Sequence, residues 1–457
     1  MKKSFRLPAI LLAVLMLLTA TTQPARCEFD IKSNLNRVQR ELEEIRGLKF
    51  RQDVPFDVKT REQIRGFLME AFRRELPPPK LKALDATLKT FGFVGDDFKI
   101  WDFLISLYSE QVAGLYDYRS GKMLLMKEPV KLEGSAAAEM AMMKAMGIDL
   151  SMEELLLIHE LNHALQDQHF DLKKLISRAQ ATKNDDYINA VQALIEGDAT
   201  AIMIYSMLGR VSSLTGGSPE QLEMFIDMKD LRDKMTNSPM QGASMAQFQK
   251  APLFFKRSLL FPYADGLLFV DTLKRRGGWE LVNKAFRDLP KSTEQILHVE
   301  KYLSGDNPIK VTWKELPNSL GGYAMIEQNV AGELTMRILF ENFIPGHDFK
   351  AAAAGWGGDS YRIYNRNDDS FLVWFTTWDR VQDAREFMAA YRLLLESKYE
   401  NLHWTRQVPD RAYLGRAQRR HVYVAINGRD VLVMEKIPEN ITQELIQKAW
   451  LVNKNEW

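Results

Sequence analysis

Leu150-Ser151-Met152-Glu153-Glu154-Leu155-Leu156-Leu157-Ile158-His159-Glu160-Leu161-Asn162-His163-Ala164-Leu165-Gln166 is the run that organises the rest of this chain. Ser151 and Glu154 have the S-x-x-E spacing of a capping box, and Leu150 with Leu155 makes the apolar pair of a hydrophobic staple, so a helix should start here. Residues four apart share a helical face, so His159 and His163 can present both imidazoles to one metal ion. Zinc accepts imidazole nitrogen and carboxylate oxygen, and a catalytic zinc keeps a position open for water, whose pKa it lowers to about 7. Glu160, beside the first histidine, is placed to take that water's proton and hand it to a leaving amine. Leu155, Leu156, Ile158, Leu161 and Leu165 bury the rest of the helix. Imidazoles and a carboxylate in such surroundings are costly without a cation to balance them.

The pair needs a third ligand, and Glu196 in Ala193-Leu194-Ile195-Glu196-Gly197-Asp198-Ala199 is the candidate. A second helix is expected from about Asp185, whose carboxylate suits an N-cap, to beyond Glu196. Gly197 inside it costs about 1 kcal/mol relative to Ala, and close approach to the His159–His163 helix is the expected reason for it. Asp198 competes with Glu196 for the ligand role. Two positions along a helix turn the side chain by about 200°, so both carboxylates do not readily bind one ion. Asp198 is then either a hydrogen-bond acceptor for a ligand histidine or a solvated group.

An HExxH run followed by E-G-x-A resembles the gluzincin metallopeptidases, which include thermolysin and the membrane alanyl aminopeptidases. The longer strings HELNHALQDQHFDL (159–172) and EGDA (196–199) are similar to a group of exported bacterial proteins placed with the gluzincins. That group also shares GLYD (114–117), STEQILH (292–298) and GWGGD (355–359), so the resemblance extends over most of the chain. It implies His159, His163 and Glu196 as zinc ligands and Glu160 as general base. It also implies that a hairpin at Leu115–Met126 supplies an edge strand beside the cleft, where an extended peptide can pair through main-chain hydrogen bonds. The spacing departs from the better-known members: 32 residues separate His163 from Glu196, more than in thermolysin or the aminopeptidases.

Other polar residues have plainer readings beside the functional one. His298, in STEQILH, is the catalytic candidate for donating a hydrogen bond to an oxyanion, against a structural histidine. Tyr263 and Tyr302 compete for that role. His169 is too far along the helix for the same metal and is expected to bond to backbone or water. Asp359 in the Gly-rich GWGGD segment reads as structural, and Arg416–Arg420 as a solvated face.

Composition sets the frame around the motif. The chain has 457 residues with ordinary globular composition, 46% hydrophobic and 26% charged, which excludes a disordered or fibrous protein. Charge is balanced at 61 Lys and Arg against 60 Asp and Glu. Lys2, Lys3, Arg6 and Arg26 sit at the extreme N-terminus, so the remainder is slightly acidic and nucleic acid is not an expected partner. The apolar run Leu7–Leu18 behind that positive start reads as an export signal over 1–27, too short to span a bilayer comfortably; an uncleaved anchor is the alternative. Cys27 is the single cysteine, so no internal disulfide exists and stability rests on packing.

The expected fold is α+β. A helical N-terminal region and zincin-like metallopeptidase domain should occupy 28–305, with a smaller α+β domain over 306–457. Helices are expected over Ile31–Leu48 and Glu62–Arg74, a break at Pro77–Pro79, and another helix from Trp101. The Met-rich stretch 131–147 reads as filler between helices, and Met235–Pro252 as a mobile connection. In the C-terminal part, Tyr361–Tyr364 and Phe371–Thr377 flank a polar turn, Asp379 caps a helix, and Asn427-Gly428 closes a type I′ hairpin. Together these readings give an exported periplasmic or secreted zinc peptidase acting on a peptide or protein substrate, with a non-catalytic envelope binding protein as the alternative.

Overall fold

A computed structural model describes residues 31–110, 114–128, 134–148, 150–237 and 246–457. The signal-like segment 1–27 lies outside them, as does 238–245 within the expected mobile connection. The described architecture is α+β, 57% helix and 21% strand, with a helical N-terminal part and a β-rich C-terminal domain. Among the described residues no helix is long and apolar enough to cross a membrane.

The motif helix runs Met152–Phe170 and starts as expected, with the Ser151 side chain accepting the Glu154 N–H at 3.2 Å. The reciprocal half of the capping box is not made. Glu154 turns its carboxylate to Arg37 and Arg210 instead, tying the Ile31–Arg46 and Asp185–Thr215 helices to this helix start. Every residue from Glu154 to Gln166 is buried, so the helix is enclosed on all sides rather than amphipathic. The second helix, Asp185–Thr215, is capped one residue earlier than expected, by Asn184 accepting the Tyr187 N–H at 3.0 Å.

Gly197 marks a close approach, but to a different neighbour from the expected one. A Cβ at Gly197 would lie 2.2 Å from the carbonyl carbon of Gly266, and one at Gly266 would lie 2.1 Å from the Ala193 oxygen. Gly266 belongs to the Leu253–Arg287 helix, which carries Pro262 inside and is kinked at Gly277 and Gly278. The helical wheel gives the reason. Glu196 and Asp198, about 200° apart, flank the face that meets the motif helix, and Gly197 between them points to the opposite side. The Asp185–Thr215 helix is therefore packed between two others, with its glycine against the second.

Other departures are local. The prolines at 77–79 open a helix, Pro78–Phe91, because proline is tolerated at the first helical positions. Of the clustered methionines, Met143 is buried but Met142 and Met146 are exposed, so they do not all fill space. The hairpin forms with strands Gly114–Asp117 and Lys122–Met126, and Phe56–Lys59 joins it in parallel to give a three-stranded sheet with Gly114–Asp117 outermost.

The C-terminal part is built on an eight-stranded antiparallel sheet. Its middle strands, Trp356–Arg366, Asp369–Trp378 and Asp430–Pro438, are almost wholly buried. Gly428 adopts φ 62°, as the Asn-Gly turn requires. The Val381–Lys398 helix packs Ala384, Phe387, Met388 and Tyr391 inward, but Arg380 holds the N-cap position, while Asp379 pairs with Lys301. Phe91 packs edge-on against Tyr361 and Trp374 at 5.2 and 5.4 Å, so the apolar core runs continuously from the helical part into the sheet.

Candidate metal centre

Three side chains converge where the motif helix meets the Asp185–Thr215 helix. His159 Nε2 and His163 Nε2 are 3.1 Å apart, and Glu196 Oε2 lies 3.2 Å from the first and 3.5 Å from the second. Among the described residues this is the one group of His, Cys, Asp or Glu side chains close enough to hold a metal ion. The donor set suits zinc: metal–ligand bonds of about 2.0–2.1 Å in tetrahedral array set ligand atoms roughly 3.3–3.4 Å apart. The side chain of Glu196 is 25% exposed, so the group lines an opening rather than a sealed void.

The electrostatics of the group favour a cation. Burial alone would lower the His163 imidazole, but the Glu196 carboxylate beside it outweighs this and pushes it up to about 9. Burial alone would raise Glu196, yet His163 and His159 pull it well below the usual carboxylate range.

A neighbouring amide orients the His163 ring. His163 Nδ1 lies 2.9 Å from Gln166 Oε1, an oxygen that can only accept, so Nδ1 carries the hydrogen and Nε2 is the nitrogen turned to the site. Glu160 is buried next to the group, and its Oε2 accepts the main-chain N–H of Tyr116 at 2.6 Å. Tyr116 belongs to the outer strand Gly114–Asp117, and its hydroxyl donates to Asp167 Oδ2 at 2.7 Å.

The remaining sequence candidates separate. Tyr263 lies against the group, its ring 6.2 Å from that of His159. His298 is held in a different cluster, with Nε2 2.9 Å from Glu333 Oε1 and 3.2 Å from Arg337 Nη2. Tyr302 donates its hydroxyl to the Asp288 carbonyl at 2.9 Å, and His169 Nε2 bonds to the Lys49 carbonyl at 2.8 Å. Asp359 is structural: it accepts from the N–H groups of Ala331 and Gly332 and from the indoles of Trp356 and Trp374. Asp198 is fully buried and meets Arg46, Asn162 and Gln166 rather than a ligand histidine or solvent. Arg46, Asn162 and Gln166 were not singled out by motif reading. The available signal was the i, i+4 spacing of Asn162 and Gln166 on the stripe adjoining the histidines.

Comparison with known proteins adds a partial match. A family model described as "Domain of unknown function (DUF8575)" matches residues 321–445, within the C-terminal sheet region. No curated protein matches the chain. A crystal structure from Chloroflexus aurantiacus, described as "a putative hydrolase with a novel fold", is similar at a TM-score of 0.36 and 16% identity, covering 65% of this chain and 97% of that one.

Proposed function

We propose that the protein is an exported zinc-dependent peptidase of the gluzincin type. The observation that supports this reading is the convergence of His159 Nε2, His163 Nε2 and Glu196 Oε2 beside a buried glutamate, Glu160, held by a strand main chain. His159, His163 and Glu196 would hold the zinc, which when bound supplies a Lewis acid and lowers the pKa of water to about 7. Glu160 takes the proton of the attacking water on Oε1, the oxygen that Tyr116 does not engage, and delivers it to the amine nitrogen as the peptide C–N bond breaks. The Tyr116 N–H meanwhile fixes the plane of the carboxylate. Gly114–Asp117 is an edge strand of its sheet, and although its Tyr116 N–H is engaged by Glu160, an extended peptide adding beside it would fit an unfolded or flexible substrate better than a small molecule. Of the oxyanion candidates, Tyr263 is the one whose ring lies near the group, 6.2 Å from that of His159, while His298 is engaged by Glu333 and Arg337.

The test is digestion of a peptide library by the purified protein, with bound zinc measured in the same sample. Cleavage that a chelator abolishes and added zinc restores is the expected result. Cleavage indifferent to chelator refutes the mechanism. Stoichiometric zinc with no cleavage of any library member favours the binding-protein alternative.

A further inference from the structure

The motif helix carries a second polar stripe beside its histidines, and that stripe is wholly buried. Asn162 and Gln166 are 0% and 1% exposed, and both donate to Asp198 Oδ2, at 3.3 and 2.9 Å. Gln166 Nε2 donates a second time, to the Ile195 carbonyl at 3.0 Å. Both hydrogens of the amide nitrogen are thus committed to oxygen acceptors, and Oε1 is left facing His163 Nδ1. On its other side Asp198 receives the Nε–H of Arg46 at 3.0 Å. Arg46 is itself 1% exposed, its guanidinium lies 4.5 Å from the centre of the Trp279 ring, and Nη1 and Nη2 have no hydrogen-bond partner among the described residues. Among the described residues Asp198 is therefore the one hydrogen-bonded anchor of a buried cation, which fixes its carboxylate as an acceptor.

We propose that Arg46, Asp198 and Gln166 form a buried positioning chain that decides which nitrogen of His163 carries the ring hydrogen and so leaves Nε2 free to bind the metal. The inference rests on the metal-site reading of His159, His163 and Glu196. Its logic is the polarity of the glutamine amide. Flipped, Gln166 would set its oxygen against two oxygen acceptors and its NH2 against Nδ1. Nδ1 would then have to accept, the ring hydrogen would move to Nε2, and that nitrogen could no longer bind a cation. Asp198 and the Ile195 carbonyl make the flipped state costly, because each would face an oxygen in a dry interior. A ligand histidine is more often oriented by a carboxylate or carbonyl directly; here the carboxylate acts through an interposed amide. The Ile195 carbonyl is one residue from the ligand Glu196, so the same amide also ties the two ligand helices together at the site.

The test measures zinc affinity and ligand tautomer rather than turnover. The zinc dissociation constant, from competition with a chromogenic chelator, is compared for the wild type, Gln166→Met and Asp271→Asn, with folding checked by circular dichroism. Asp271→Asn is the control. It disturbs another buried acid, hydrogen-bonded to Tyr205 and Arg275 rather than to Arg46, Gln166 or a ligand. Gln166→Met should weaken zinc about 10- to 100-fold, while Asp271→Asn leaves it within about twofold of the wild type. In the zinc-free wild type with the imidazole neutral, long-range 15N–1H correlation on labelled histidine should show His163 with its hydrogen on Nδ1. That spectrum decides the matter even if Gln166→Met does not fold. Unchanged affinity in Gln166→Met, an equal loss in the control, or a hydrogen on His163 Nε2 overturns the positioning chain while leaving the metal site standing. A folded wild type that takes up no zinc overturns the metal reading and the chain with it.

Discussion

Replacing Gly197 with alanine tests the helix crossing on which the site depends. The added Cβ would meet the Gly266 carbonyl carbon at 2.2 Å, its oxygen at 2.3 Å and its Cα at 2.7 Å. All three are backbone atoms, so no rotamer change relieves the contact. Restoring ordinary carbon–carbon separation requires the Asp185–Thr215 and Leu253–Arg287 helices to part by roughly 1.2 Å or more. Alanine gains about 1 kcal/mol in helix propensity, while overpacking a rigid contact costs about 1–3 kcal/mol and occasionally more. The clash being with main chain, we expect the upper end and a net loss of about 2 kcal/mol. Gly209 supplies the matched control: it lies in the same helix with nothing within 4 Å of its Cβ position, so Gly209→Ala should stabilise by about 0.5–1 kcal/mol. Urea unfolding followed by far-ultraviolet circular dichroism reads both. Because Glu196 adjoins Gly197, the first variant should also bind zinc more weakly. A Gly197→Ala protein as stable as Gly209→Ala, with unchanged zinc affinity, would refute the crossing and its link to the site.

Three further outcomes follow from the same geometry. Glu160→Gln keeps the shape of the side chain but cannot take a proton, so zinc content should stay near normal while turnover falls at least about a hundredfold; retained turnover would point to another base. Glu196→Ala should lose zinc on dialysis against a weak chelator. Asp198→Ala should lose stability, by about 3–5 kcal/mol, because Arg46 is left buried without its counter-charge, and should weaken zinc only by the about 10- to 100-fold of a residue acting through Gln166; loss of zinc from the Asp198 variant with retention in the Glu196 variant would overturn the ligand assignment. Burial raises the Asp186 carboxyl from 3.8 to about 8, where it receives the main-chain N–H and hydroxyl of Thr293. The folded state then binds a proton that the unfolded chain has released, so stability should fall as pH rises from about 4 towards 8. Asp186→Asn keeps an acceptor for Thr293 and should flatten that slope in urea titrations at several pH values, and an unaltered slope would contradict the assignment.

The features legible in the sequence were those set by near neighbours along the chain. Ser151 caps because its hydroxyl reaches an N–H three residues on, and Asn427-Gly428 turns because Gly428 accepts a positive φ. The HExxH spacing fixes which two imidazoles share a face, whatever surrounds them. What stayed hidden depended on partners distant in sequence. Glu154 abandons the capping box for Arg37 and Arg210, which no local pattern announces. Gly197 signals that something comes close but cannot say whether it is the motif helix or Gly266. The parallel strand Phe56–Lys59 pairs with Lys122–Met126 across a long intervening stretch. Asn162 and Gln166 gain meaning only when Asp198 and Arg46 are brought against them. His298 has a residue type suited to an active site, but its position joins it to Glu333 and Arg337.

X-ray absorption at the zinc edge of the purified, zinc-loaded protein tests the central claim most directly. The account predicts one zinc per chain, with two imidazole nitrogens and a carboxylate oxygen at about 2.0–2.1 Å and a further light-atom ligand completing the shell. A protein that retains no zinc, or a zinc shell without two imidazoles, would contradict it.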